Sequence, residues 1–113
     1  MNIVYFFTDS VQCEELNTSA HCRQYKTILS ELLTDNLLIM DLFQNETNLN
    51  ELTSYLGLST STPYIVIKNS ENEVVFHFGP LYMRTKVPFD TENYWDAIKT
   101  EMQSILTQYG ALI

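Results

Sequence analysis

Read for its apolar and polar positions, the chain divides into seven elements. Residues 2–7 form an almost continuous β-branched and aromatic run, the pattern of a strand covered on both faces. Over residues 19–34, Cys22, Tyr25, Ile28, Leu29, Leu32 and Leu33 recur at helical spacing and make one apolar stripe. Thr18 or Ser19 can cap that helix, because a hydroxyl there accepts a first-turn N–H. Asp35 and Asn36 end it, and Leu37–Leu42, "LLIMDL", reads as a second covered strand. Asn48 to Leu56 reads as a short helix, with Asn48 and Glu51 as a capping box and Gly57 at the exit. Pro63 opens a third strand, "YIVIK". The polar turn Asn69–Asn72 sends the chain back through "EVVFHF", so the last two strands form a hairpin. Gly79 to Asp90, with Pro80 and Pro88, reads as a long connection packed over a sheet edge. Thr91–Tyr109 is the clearest helix. Its stripe is Tyr94/Trp95, Ile98, Met102, Ile105/Leu106 and Tyr109, and Gly110 closes it.

Helices between the early strands imply parallel, right-handed crossovers, and the hairpin adds antiparallel strands. The expected class is therefore α/β, ordered β-α-β-α-β-β-α, with a four-stranded mixed sheet flanked by helices on both faces.

Composition narrows the function classes. At 113 residues, 45% of them hydrophobic, the chain fits one domain, 1–113, with a real core that needs no disulfide staples. The formal net charge is −8 and only six residues are Lys or Arg. No basic stripe is available to neutralise phosphates, which argues against nucleic acid as a partner. Anionic membrane surfaces are disfavoured for the same reason. The apolar start, Ile3–Phe7, is too short to span a bilayer and lacks the basic flank of a signal peptide. An intracellular, cytoplasmic location is expected. There, two cysteines are more often thiols or redox-active than a permanent staple, and the sequons at Asn17 and Asn45 carry no meaning.

The segment "SAHCRQYKTILSELL" resembles the active-site helix of the thioredoxin superfamily, where CxxC precedes a basic residue and an amphipathic run. Cys22 falls on the second cysteine and Arg23 on the basic residue, while Ser19 replaces the first cysteine. The segment "LGLSTSTPYIVIKNSENEVVFHFG" is similar to the later part of that family. Thr62 and Pro63 match its cis-proline position, Lys68-Asn69 its turn, and Gly79 its strand end. The resemblance covers residues 2 to about 79 and implies a thioredoxin-like fold. It also implies thiol–disulfide chemistry on a protein or small thiol/disulfide substrate, with Thr62 and Pro63 beside the active-site helix to bind it. Two departures stand out. Residues 8–18 are longer than usual and contain Cys13, and the connection between Pro80 and Pro88 is also long.

Exchange needs an accessible thiolate and a leaving sulfur close by. A helix N-terminus favours the thiolate through its unpaired N–H groups and its dipole. Ser19 cannot attack in place of cysteine, because an alcohol stays protonated without a dedicated base; its simplest role is a cap. Cys13 precedes Cys22 by nine positions and can fold back to pair with it. Two unrelated thiols and a purely structural disulfide are the alternatives. His21 stands where protein disulfide isomerases carry the His of their CGHC motif. It could act on Cys22, or simply face solvent in the first turn. Glu14-Glu15 reads as a solvated turn whose charge opposes a Cys13 thiolate. His77 reads as solvent-facing or hydrogen-bonded. No motif calls for a cofactor. A metal site from Cys13, His21 and Cys22 is disfavoured, since a His beside a Cys on one helix cannot easily aim both at one ion. Two readings follow. One is a divergent oxidoreductase using Cys22, paired with Cys13, with Ser19, His21, Thr62 and Pro63 around the substrate. The other is a non-catalytic thioredoxin-fold module that binds a protein partner beside Pro63 or through residues 79–90.

Overall fold

The structure, a computed structural model, describes residues 1–15, 21–43, 45–56 and 62–113. The strands are β1 (Ile3–Thr8), β2 (Leu37–Asp41), β3 (Tyr64–Lys68) and β4 (Val74–Phe78). The helices are α1 (His21–Leu32), α2 (Glu46–Leu56), α3 (Pro80–Lys86) and α4 (Tyr94–Gln108). A π-helical turn, Ser10–Glu15, stands between β1 and α1. The strands form one mixed sheet in the order β2-β1-β3-β4. β1 and β2 run parallel, with Val4 opposite Leu37. β3 runs antiparallel to β1, with Phe7 opposite Tyr64, and β4 antiparallel to β3, with Ile65 opposite Phe78. The expected α/β class and four-stranded mixed sheet are present, and α3 is an addition within the connection read as a loop.

Alternation along the strands sorts the core into two layers. Val4, Phe6, Ile65, Ile67 and Phe78 face α1, α3 and α4, where they meet Tyr25, Leu29, Met83, Ile98, Met102 and Leu106. Phe7, Tyr64 and Val66 face the other way, onto Leu52 and Tyr55 of α2. Helices thus cover both faces, but the α2 layer is much thinner.

Three local expectations change. β2 is an edge strand, and Leu38 and Ile39 are exposed rather than covered. α2 begins earlier than Asn48. Asn45 caps it, its Oδ1 accepting the Thr47 N–H at 2.9 Å. Asn48 instead donates to the Asp41 carbonyl at 3.2 Å, and Glu51 turns to Lys68 of β3. Residues 80–86 wind into α3 because Pro80 suits the first helical position. Met83 of this helix is buried, and Tyr82 packs on Phe76 and Phe78 of edge strand β4. Other expectations hold. Gly110 closes α4 at φ +74°, and Asn69 accepts the N–H groups of Glu71 and Glu73 within the hairpin turn. The expected cap at Thr18 or Ser19 and the exit at Gly57 lie outside the described residues.

Candidate functional site

The end of the sheet where β1 finishes brings Thr62 and Pro63 near the segment that leads to Cys13. Thr8 lies opposite Asp41 of β2. One step past the Phe7–Tyr64 pair lies the Thr62–Pro63 bond, which is cis. Beyond Phe78 at the same end come Gly79 and the start of α3.

Asp9 makes the chain turn as it leaves β1. Its Oδ1 accepts the N–H groups of Val11 and Gln12 at 3.0 and 2.8 Å. Its carbonyl accepts those of Cys13 and Glu14 at 2.9 and 3.1 Å, which closes the wide turn. Asp41 fixes the turn to β2 by accepting the Ser10 N–H at 3.1 Å, and it also takes that of Phe43 at 3.0 Å. Burial alone would raise the Asp41 carboxyl. The hydrogen bonds from Ser10 and Phe43, and the charge of Lys26, outweigh burial and hold it below the usual carboxylate range.

The turn carries Cys13 to the start of α1, where a disulfide joins it to Cys22 across a Cα–Cα distance of 5.9 Å. The reading of two unrelated thiols is thereby set aside. Both residues are covered, Cys13 at 4% exposure and Cys22 at 1%. Cys22 opens the buried stripe of α1 that continues through Tyr25, Ile28 and Leu29.

Glu14, beside Cys13, is not the solvated charge its sequence position implied. One carboxylate oxygen accepts the Thr8 hydroxyl at 3.0 Å and the other meets Lys26 Nζ at 3.2 Å. The guanidinium of Arg23 donates to the Glu14 carbonyl. The negative charge next to Cys13 is therefore matched by Lys26 of α1. The signal was present in the sequence, because Arg23 and Lys26 are three apart and share a helix face. Nothing in the sequence said which residue they would meet.

His21 packs into an aromatic group rather than facing solvent. Its ring lies edge-on to Tyr25, Phe89 and Trp95 at centroid distances of 5.6–5.7 Å, and Nε2 is 3.5 Å from the Tyr94 hydroxyl. Burial, and then the nearby Arg84 charge, lower its pKa below the ordinary histidine value. Ser19 lies outside the described residues.

Between the end of β4 and α3 lies a cleft of about 280 Å³, lined among others by Tyr64, His77, Gly79, Leu81 and Tyr82. His77 shares a hydrogen bond with the Tyr64 hydroxyl through Nδ1. Gly79 is needed for the close approach here. A Cβ at Gly79 would stand 2.8 Å from Tyr64 Cδ1 and 3.4 Å from the Pro63 carbonyl oxygen. Among the described residues, no group of three or more His, Cys, Asp or Glu side chains could hold a metal ion. No helix among them is long and apolar enough to cross a membrane.

Comparison of the chain with known protein families, curated proteins and solved structures finds no match in any of the three.

Proposed function

We propose that the chain is a divergent thioredoxin-like thiol–disulfide oxidoreductase whose redox couple is Cys13 with Cys22. One observation carries the reading: the two cysteines are bonded at the start of α1, with Cys13 delivered by the turn after β1. The strand order and directions, and the Thr62–Pro63 bond at the same end of the sheet, support the thioredoxin-like fold that the sequence resembles.

The site's asymmetry assigns roles. Cys22 sits in the first turn of α1, where the helix dipole stabilises a thiolate. It is the better leaving group, so an incoming thiolate attacks the Cys13 sulfur. The S–S bond breaks, a mixed disulfide forms on Cys13, and Cys22 leaves as a thiolate that takes up a proton. A second substrate thiol then displaces Cys13. The balance is one protein disulfide and two thiols giving a protein dithiol and one substrate disulfide. In the reverse direction Cys22 resolves the mixed disulfide. The Thr62 backbone, before Pro63, pairs with an extended substrate peptide, and His21 holds the start of α1 against α4. This reading places the protein in an intracellular thiol pool.

The cover over both sulfurs favours a second reading, a non-catalytic binding module whose partner uses the cleft at Gly79. The two separate in one experiment. The native protein is equilibrated in glutathione buffers of graded ratio, alkylated and weighed. Exchange predicts two labelled thiols at reducing ratios and none at oxidising ones, with Cys22→Ser abolishing the transition and forming a mixed disulfide on Cys13. A bond that stays closed in every glutathione buffer rejects the exchange reading and leaves the binding module.

A further inference from the structure

The turn that carries Cys13 is held by more than the disulfide and its Asp9 and Asp41 caps, and several further ties converge on Glu14. Its side chain bonds to Thr8 of β1 and Lys26 of α1, and its carbonyl accepts from Arg23. These contacts span the two elements that flank the turn. Lys26 lies one helical turn beyond Cys22, so the ion pair and the disulfide run side by side between the same two segments. Glu14 adjoins Cys13 in the chain, so anchoring Glu14 restrains the backbone that carries the Cys13 sulfur.

We propose that Glu14 is a positioning residue that keeps the Cys13 thiol beside Cys22 when the disulfide opens, and so sets how readily the bond reforms. This rests on the redox reading above. The physical reason is linkage. The disulfide and the Glu14 contacts close the same loop, so each lowers the entropy needed to form the other. Such coupling is reciprocal. The ion pair stabilises the disulfide relative to the dithiol by the same factor by which the disulfide strengthens the ion pair. Removing the carboxylate therefore weakens the oxidised form more than the reduced form, in which the loop is freer. The step is the two-electron, two-proton reduction of Cys13–Cys22 by two molecules of a small thiol, which become one disulfide. Glu14 neither donates nor accepts an electron pair in it. Because the Lys26 side chain is partly exposed, part of the coupling is screened by salt.

The test measures the equilibrium between the full-length chain and glutathione, or dithiothreitol where glutathione leaves the bond closed. Four proteins are compared at low and high salt: wild type, Glu14→Gln, Lys26→Met and the reversed pair Glu14→Lys/Lys26→Glu. Each single variant is expected to lower the equilibrium constant for disulfide formation by about fivefold, a rise of about 20 mV in reduction potential. The reversed pair is expected to recover to within about twofold of wild type, and all differences shrink at high salt. A merely structural role would lower thermal stability without moving the potential. If both single variants stay within about twofold of wild type, or the reversed pair does not recover, the proposal is overturned. Lys26→Met keeps the test open should Glu14→Gln fold poorly. A wild-type bond that glutathione never opens rejects the exchange reading alone, because the dithiothreitol equilibria still report on Glu14.

Discussion

Lys68 and Glu51 make the sharpest test of how the thin layer of the fold is held. Lys68 lies on β3, the strand buried along its whole length, and its side chain is only 9% exposed. Its ammonium pairs with Glu51 of α2 and lies 4.5 Å from the centre of the Tyr5 ring. Glu51 is more open, at 26%, and also accepts the Tyr55 hydroxyl at 3.3 Å. A pair of this kind is asymmetric. Glu51→Ala leaves an almost buried ammonium without its counter-charge, which costs about 3–5 kcal/mol where both partners are fully buried. The partial exposure of Glu51 brings the expectation to about 2–3 kcal/mol. Lys68→Met removes the charge and keeps the volume. It also forfeits the cation–π contact, worth about 0.5–1 kcal/mol at an exposed site, while the thioether can pack on the same ring. The expected loss is under about 1 kcal/mol. The double variant should then be more stable than Glu51→Ala alone by about 1–2 kcal/mol. Urea unfolding of the oxidised protein at neutral pH measures all three. With a slope of about 1.5 kcal/mol per molar urea, Glu51→Ala lowers the midpoint by about 1.3–2 M. If Glu51→Ala shifts it no more than an exposed ion pair would, by under about 0.5 kcal/mol, or if the double variant shows no recovery, the reasoning from burial is wrong.

Other consequences can be checked in the same way. Tyr25 is fully buried, its hydroxyl has no hydrogen-bond partner among the described residues, and burial, then the neighbouring Tyr94, pushes its pKa up. Tyr25→Phe should therefore be neutral or stabilising by up to about 1 kcal/mol in urea unfolding; a loss above about 0.5 kcal/mol would show that the hydroxyl is bonded. His21 has a folded pKa below its ordinary value, so the unfolded chain binds the proton first. Its share of stability is complete above about pH 6.5 and is lost as pH falls through the folded pKa. His21→Gln should flatten that part of a stability-against-pH curve, and an unchanged slope would count against it. At Gly79 the backbone is extended (φ −138°), so Gly79→Ala adds no backbone strain. Its Cβ would instead push the Tyr64 ring, separating it from His77, at a cost of about 1–3 kcal/mol. The His77 ring resonances should shift, and unperturbed resonances would mean that the ring has room to yield.

Much of the architecture was legible because the strongest apolar runs and stripes each mark one element. β1, β3, α1 and α4 follow from them directly. The misreadings share a cause, which is that a local pattern does not report its neighbours. "LLIMDL" has the unbroken apolar character of a covered strand, yet strand order puts it at the edge. Asn45 and Asn48 both fit a helix cap, and the choice fell to Asn45 because Asn48 and Glu51 were drawn to Asp41 and Lys68. Two prolines made Gly79 to Asp90 read as a long connection, although Pro80 is itself a helix-start signal.

In the candidate site the Cys13–Cys22 pairing was one of three readings of the sequence, and Cys13 shows why the sequence did not choose among them. Spacing gives the length of chain between two cysteines, while pairing depends on where that chain turns. Here the deciding residue is Asp9, which caps the turn after β1 and sends Cys13 back toward α1. Asp after a strand is an ordinary cap signal, and it could have been used. The charges followed the same rule. Glu14 beside a cysteine looked unfavourable to a thiolate when only its own segment was considered. Lys26, twelve positions further on, pairs with that carboxylate, and Arg23 donates to the Glu14 carbonyl, once the turn brings Glu14 to α1. Under the proposed function, the added length between β1 and α1 is then not a disruption of a two-cysteine motif. It is a capped turn that brings the second sulfur to Cys22 from the strand side, held there by the carboxylate beside it.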